Sequence, residues 1–535
     1  MRADRPALIP RESLIARLAK PERYDLAIVG GGATGLGLAL DAVLRGFSVV
    51  LIEAQDFAKG TSSRTTKLVH GGVRYLARGN FGLVYEALHE RANLLRNAPH
   101  IAQPLPFVVP TYKFWEGPFY GLGLKAYDLL AGSSGLGPTK FFNRSETLHA
   151  LPNAQPNGLR GGIEYWDAQF DDARLAITLA RTAHAKGALL VNYCPAVGLL
   201  HEGAHVAGLV CEDRETGARY QVRARCVVNA TGVWVDQLRK FDDDAGERAT
   251  SPMVQPSQGV HLVVDRDFLP GKHALMVPST ADGRVLFAVP WLGKVILGTT
   301  DTPRSDLPLD PVPQRQEIDF ILREAARYLH RAPTRADIRS QWAGLRPLVK
   351  PVGDESGDKS TKALSREHTI VSSASGLITV TGGKWTTYRA MAEDVMERIF
   401  ELGKLESAPA GATLSQPLLG AGNPNASQPG VVAAPGLHSY GDEADWVGAL
   451  PGAEVNLGSG LTEAMVRFAI RHEFARTVED VLARRSRLLM LDAARAVELA
   501  PAVAKILSEE CRFNVQPEPF YAVAGIYGGA KANAA

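Results

Sequence analysis

The period of the hydrophobic positions changes along the chain, and each change predicts an element. Residues 24–29, Tyr24-Asp25-Leu26-Ala27-Ile28-Val29, form a short apolar run closed by glycines, the pattern of a buried parallel strand. The spacing then predicts a helix over 35–45, ended by Gly46, and a second strand over 48–53. Farther on, Asp171 or Asp172 can cap a helix running to about Lys186, with Leu175, Leu179 and Ala183 on one face. The runs 285–290 and 295–300 flank Trp291-Leu292-Gly293-Lys294 and predict a β-hairpin. Residues 405–436 have the Pro, Gly, Ala and Ser density of a linker. Beyond them, 460–512 carries a helical period almost throughout. Residues 1–20 read as an extension with a short helix over 13–19, and no internal repeat is present.

A chain of 535 residues exceeds one ordinary hydrophobic core, so two or three domains are expected. A formal net charge of +2 gives no reason to expect a nucleic-acid partner. The four cysteines show neither CxxC pairs nor metal-ligand spacing with histidine, so no metal site is expected and a reducing compartment is the default. The first twenty residues are charged throughout and lack the apolar core of a signal peptide. No uncharged apolar run approaches the roughly 18 residues that span a bilayer. The stretch 114–124 is too short and too interrupted to cross, though it could lie in one leaflet.

Chemistry first enters at Gly30-Gly31-Gly32-Ala33-Thr34-Gly35. In this G-x-G-x-x-G pattern Gly30 permits the turn out of the strand and Gly32 lets backbone approach a pyrophosphate. Gly35 lets the helix pack close to the sheet, while the helix start offers free N–H groups. The second strand ends in Glu53, about twenty residues on, where an acid can accept ribose hydroxyls. A plain βαβ turn would share the glycines, but not the acid at that distance. Two further strand-to-glycine segments lie far away, Val227-Val228-Asn229-Ala230-Thr231-Gly232 and Leu377-Ile378-Thr379-Val380-Thr381-Gly382-Gly383. A split cofactor domain of this kind resembles large flavoproteins of the glutathione-reductase type, which implies FAD rather than a nicotinamide. Gly382-Gly383 before a helix would then offer N–H groups to the flavin.

Longer motifs sharpen the resemblance. Thr61-Ser62-Ser63-Arg64-Thr65-Thr66-Lys67-Leu68-Val69-His70-Gly71-Gly72-Val73-Arg74-Tyr75-Leu76, Gly344-Leu345-Arg346-Pro347 and Thr381-Gly382-Gly383-Lys384-Trp385-Thr386-Thr387-Tyr388-Arg389 together resemble the FAD-dependent glycerol-3-phosphate dehydrogenase family, as do Asn229-Ala230-Thr231-Gly232 and Gly298-Thr299-Thr300-Asp301. The likeness covers roughly residues 22–400 and, more loosely, the helical tail. The chain departs from the family pattern at Arg64, where a small residue is expected, and at Trp385, in place of leucine.

The resemblance implies an α/β fold. An FAD-binding domain of the glutathione-reductase type would be built from 22–80, 166–250 and 346–404, after an N-terminal extension over 1–21. A mixed or antiparallel substrate domain would come from 81–165 and 251–345. A linker over 405–436 and an all-helical C-terminal domain over 437–535 would follow. It further implies FAD contacts at Gly30, Gly32, Gly35, Glu53, Ser62, Ser63, Lys67, Leu68, His70, Thr231, Gly232, Gly382, Gly383, Thr386 and Thr387.

The implied reaction is oxidation of sn-glycerol 3-phosphate to dihydroxyacetone phosphate. It needs a clamp for a phosphate dianion, which the planar fork of arginine suits. By resemblance the clamp draws on Arg74, Tyr75, Arg346, Arg366 and Lys384. The base must be able to lose its proton, which excludes arginine and leaves His261, His70, Lys384 or Tyr75. His261, in Gln258-Gly259-Val260-His261, is the expected choice, with Arg346 and Lys384 beside it in catalysis. The resemblance also implies a quinone as electron acceptor, with oxygen the alternative. It further implies a cytoplasmic protein held peripherally on the membrane, and leaves homodimerisation open. Phe114, Trp115, Phe119 and Tyr120, with Lys113 and Lys125, could form the interfacial patch or be ordinary core aromatics. Two rivals differ in class: a flavin oxidase of amino or hydroxy acids, which needs one arginine rather than a cluster, and a non-catalytic flavoprotein.

Overall fold

A computed structural model describes residues 8–76, 79–243, 251–281, 283–350, 367–422 and 430–529. Arg366 lies outside the described residues, as do the side chains of Arg74 and Tyr75. The strand Arg23–Val29 is buried from Leu26 onwards on both faces, which requires a central place in a covered sheet. It pairs in parallel with Val49–Ile52 on one side and Arg219–Asn229 on the other. Arg219–Asn229 in turn pairs in parallel with Ile378–Gly382. Leu189–Val191 and His368–Ser372 close the two ends of this row, and the hairpin Ala196–Glu202 with His205–Glu212 hangs from Arg219–Asn229. The three strand-to-glycine segments read in the sequence are thus neighbours in one sheet.

Helix Ala33–Leu44 covers this sheet and packs on the helices Asp172–Ala185 and Tyr388–Glu401. Gly37 allows the last contact, because a Cβ there would come within 2.8 Å of the Tyr388 ring. Asp171 is the cap of Asp172–Ala185, its side chain accepting from the Arg174 N–H.

A second, ten-stranded sheet is mostly antiparallel. Near one end of it Val254–Asp265 lies between Lys294–Gly298 and Ser340–Val349. The expected hairpin is Leu286–Trp291 with Lys294–Gly298, and its two turn residues, Leu292 and Gly293, both take positive φ (45° and 79°). The strands Ala102–Thr111 and Gly161–Phe170, from much earlier in the chain, extend the same sheet.

The tail beyond 460 is helical: Glu463–His472, Leu488–Leu491, Ala493–Cys511 and Glu518–Gly528, with a π-helical turn at Asp480–Arg485. Its apolar face shares one core with Trp291 and Trp342 of the second sheet. The stretch 405–436 has linker composition, but its described residues lie against the body as a strap. Leu418 N donates to Asn97 O, and Leu292 N donates to Val431 O, each at 2.9 Å or less.

The helical tail grips one short loop, 56–67, that follows Val49–Ile52. Asp56 is fully buried and receives both Arg484 and Arg485. Glu479 accepts from Lys59 at 2.5 Å and from Arg484 at 2.6 Å. Arg487, held at positive φ (64°), donates to Ser63 O at 3.0 Å and to Asp172 at 2.9 Å. Arg64, the departure from the family pattern, pairs with Asp310 and donates to Tyr527 Oη at 3.2 Å and to Leu309 O at 2.6 Å. The second departure, Trp385, donates its indole N–H to Ser62 O at 2.8 Å. Both odd residues fasten the same loop.

Burial pushes the Glu479 carboxyl upward, but Arg484 and Lys59 outweigh it and hold the group at about 2. A carboxyl depressed in the folded state stabilises the fold above its ordinary value and loses that contribution as pH falls towards the depressed one. Glu479→Gln is therefore expected to lower stability at neutral pH. Its deficit against wild type should narrow as pH falls from 4.5 towards about 2. Urea unfolding midpoints at about pH 7 and about pH 3 measure this, and an unchanged deficit would contradict it.

Candidate active site

The carboxyl ends of three adjacent parallel strands meet at Gly30, Thr231 and Gly382, the crevice where open α/β sheets bind ligands. Each glycine of the first turn has a separate steric reason. Gly30 takes φ 115°, and a Cβ there would lie 2.5 Å from Ala230 O. At Gly35 a Cβ would lie 1.9 Å from Gly30 O, so the helix could not sit on its strand. At Gly32 a Cβ would meet only Ser62 Oγ, at 3.1 Å. Gly32 itself lines a cavity of about 890 Å³. Ser62 Oγ accepts from the Ala33 N–H at 3.0 Å and so joins the 56–67 loop to the helix start.

Glu53 faces the same cavity, with Oε2 accepting from Gly31 N at 2.6 Å and Oε1 from Gln55 N at 2.8 Å. Burial pushes its carboxyl above the ordinary range, against the pull of those two N–H groups. On the opposite side Gly382 and Gly383 both take positive φ (86° and 75°) and line the cavity ahead of the helix Tyr388–Glu401. An open glycine cradle at a helix start, an acid at the end of the second strand and a glycine pair across the gap fit a bound dinucleotide.

The second sheet supplies the facing wall. His261 and Arg346 stand on its strands and line the same cavity as Gly32, Glu53, Gly383 and Lys384, the last of which follows the glycine pair of the parallel sheet. His261 Nε2 lies 2.9 Å from Thr66 Oγ1, and its ring stacks on Trp342 with centroids 5.4 Å apart. Burial, then the charges of Lys67 and Arg346, push its pKa well below the ordinary histidine value, so the ring is neutral at neutral pH. Arg346 NH2 donates to Thr299 Oγ1 at 3.1 Å and to Thr300 O at 3.0 Å, while NH1 donates to Asp301 at 3.3 Å.

Of the other expected positions, Ser62, Leu68, His70, Thr231, Gly232 and Thr386 also line the cavity. Gly35, Ser63, Lys67 and Thr387 do not. Gly35 serves helix packing, Ser63 offers its carbonyl to Lys67 and Arg487, and Thr387 turns its hydroxyl to Lys384 O at 3.4 Å. Lys67 differs most from expectation. Its positive φ (64°) belongs to a backbone turn, and its ammonium is fully buried between the rings of Trp291 and Trp342. There it donates to Ser63 O at 2.7 Å and to Asp172 at 2.6 Å. Burial pushes it down to about 7 against the attraction of Asp172.

Sequence reasoning missed Thr66, the histidine's partner, and Gly259. The latter carried a readable signal. In a strand, residues two apart share a face, so Gly259 stands beside His261. A Cβ at Gly259 would lie 2.3 Å from Arg346 NH2.

Two family models match the chain: FAD dependent oxidoreductase over residues 25–389, and C-terminal domain of alpha-glycerophosphate oxidase over residues 381–517. The chain is 40% identical to a mitochondrial glycerol-3-phosphate dehydrogenase of Bos taurus, across 94% of this chain and 73% of that protein. It is 37% identical to the corresponding protein of Schizosaccharomyces pombe, across 94% and 86%. Its fold is similar to that of a glycerol-3-phosphate dehydrogenase from Bacillus halodurans complexed with FAD, with a TM-score of 0.77, 29% identity and 97% of each chain covered. An L-alpha-glycerophosphate oxidase from Mycoplasma pneumoniae shares the fold at a TM-score of 0.56 and 14% identity, over 74% of this chain and 98% of that one. With the cradle, the facing cations and these likenesses in agreement, the chain belongs to the FAD-dependent glycerol-3-phosphate dehydrogenase family.

Proposed function

We propose the following division of labour for the oxidation of sn-glycerol 3-phosphate to dihydroxyacetone phosphate by FAD. Arg346 and Lys384, with Arg74, Tyr75 and Arg366, clamp the phosphate. Arginine's fork matches two phosphate oxygens, and lysine adds a point charge. The neutral imidazole of His261 takes the proton of the C2 hydroxyl as the C2–O bond becomes a carbonyl. Thr66 Oγ1, 2.9 Å from Nε2, orients the ring and selects its tautomer. Bound FAD supplies the acceptor for the hydride that leaves C2. Gly30, Gly32, Glu53, Ser62, Gly382 and Gly383 are the residues that would hold it. One observation carries this reading: the dinucleotide cradle and the group His261, Arg346 and Lys384 line a single cavity.

The electrons then pass to a quinone, reached at a membrane surface. No helix among the described residues is long and apolar enough to cross a membrane. The helix Glu116–Ala131, however, buries Gly121, Leu124, Tyr127 and Ala131, and turns Phe119, Leu122 and Leu129 outward at 64%, 75% and 83% exposure. Phe114 adds to the same stretch at 78% exposure. Lys113 lies over Trp115 and Lys125 over Phe141, at 5.6 Å and 5.4 Å from the ring centroids. An apolar face rimmed by lysines suits the interface of an anionic leaflet.

Three outcomes test this assignment. Gly32→Val is expected to yield protein without flavin absorbance, since the new side chain occupies the cradle; full flavin content would remove Gly32 from it. Anaerobic glycerol 3-phosphate is expected to bleach the flavin of the wild type, and His261→Ala to slow that bleaching about a hundredfold or more. An unchanged rate would reassign the base, and rapid recolouring by oxygen rather than by a quinone analogue would favour an oxidase. Leu122→Asp with Leu129→Asp is expected to abolish sedimentation with anionic liposomes while leaving anaerobic bleaching intact. Retained sedimentation would place the contact elsewhere.

A further inference from the structure

The motif Gly298-Thr299-Thr300-Asp301 has no part in the division of labour above, yet it meets both His261 and Arg346. In the second sheet Ser257 is opposite Arg346 on one flank of the strand Val254–Asp265, while His261 is opposite Gly298 on the other. Arg346 therefore starts on one side of this strand, and its guanidinium crosses above Gly259 to reach the far side. The crossing is possible only because Gly259 has no side chain, as the 2.3 Å distance from its would-be Cβ to Arg346 NH2 shows.

On the far side three acceptors from three consecutive residues receive the guanidinium: Thr299 Oγ1, Thr300 O and the Asp301 carboxylate. They engage three of its five N–H donors and fix the plane of the fork. Two of these three residues are themselves anchored. Asp301 receives the Ser257 hydroxyl, and Thr300 Oγ1 bridges Val260 N at 3.0 Å and Glu317 at 3.0 Å. Gly298 completes the arrangement, because a Cβ there would lie 2.5 Å from His261 Cδ2.

Resting on the function proposed above, we infer that Gly298-Thr299-Thr300-Asp301 is a positioning element. It sets the guanidinium of Arg346 in the plane that receives the substrate phosphate and keeps the neighbouring edge clear for the His261 ring. Asp301 is its central positioning residue. A carboxylate beside an anion site would by charge alone repel a phosphate dianion, so its effect through Arg346 must exceed its own repulsion. That gives the test a sign. If Asp301 positions Arg346, removing its charge weakens anion binding; if it merely competes with phosphate for the guanidinium, removal strengthens binding.

The experiment uses the FAD-loaded full chain and the variants Asp301→Asn, Thr299→Val, Arg346→Ala and Asp301→Asn with Arg346→Ala. Expected for Asp301→Asn are unchanged flavin content, a KM for glycerol 3-phosphate raised about tenfold and a kcat within about threefold of wild type, with Thr299→Val moving in the same direction. In the Arg346→Ala background Asp301→Asn should add less than about twofold, since its effect runs through the missing arginine. Inorganic phosphate, titrated by its perturbation of the flavin spectrum, should bind about tenfold more weakly to Asp301→Asn. Unchanged or tighter binding of substrate and phosphate, or an equal loss with and without Arg346, would overturn the inference. If glycerol 3-phosphate fails to bleach the wild type, the proposed function falls, while the phosphate titrations still decide the role of Asp301.

Discussion

The structure depends on the buried charge network through which the helical tail grips the 56–67 loop. That loop has two duties. Ser62, Thr65 and Thr66 help to line the cavity, and Asp56, Lys59 and Arg64 answer Glu479, Arg484, Arg485 and Tyr527. Paired charges inside a protein contribute little net stability compared with apolar packing, but an unpaired one is costly. The network therefore acts mainly as a docking code. The tail fits in the arrangement that satisfies every charge, and the loop is held where the cavity needs it.

Upon that loop two unlike walls are set face to face. The parallel sheet contributes backbone, in glycine turns and helix-start N–H groups, together with the Glu53 carboxylate, which accepts from Gly31 N and Gln55 N. The mostly antiparallel sheet contributes side chains on strands: an imidazole held against Trp342 and a guanidinium laid over Gly259. Strands hold these groups more rigidly than loops would, which matters when a proton must leave the hydroxyl oxygen and a hydride the carbon that bears it in one geometry.

Much of this was legible in the sequence. The first βαβ unit, the Asp171 cap and the 285–300 hairpin follow from local periodicity and turn chemistry, and the structure places each within a few residues of its expected span. The meeting of three distant glycine turns was legible through family likeness rather than through spacing, because nothing local in Val228 or Ile378 names the other as its neighbour. Lys67 shows where motif reasoning fails. A lysine inside a motif that lines the cavity reads as a ligand contact, but a positive φ at that residue turns its side chain into the core. Arg64 and Trp385 read as departures from a pattern, and their purpose is visible only once the tail and the loop are brought together. The Pro- and Gly-rich stretch 405–436 is similar: its composition describes its local backbone, whereas its docking depends on partners such as Asn97 and Leu292.

The strand order of the parallel sheet also bears on how the molecule comes into being. Its central strands are drawn from residues 23–29, 219–229 and 378–382, so neighbours in space are separated by some of the longest stretches of chain in the protein. Such non-local pairing makes for slow folding. During synthesis the leading strand of the first βαβ unit has two flanks to fill, and their partners emerge at very different times. One flank closes at once with Val49–Ile52, but the other stays open for nearly two hundred residues. An apolar strand edge exposed for that long invites association with other chains, so the nascent protein has a specific need for chaperone cover between the first strand and the one that finally joins it.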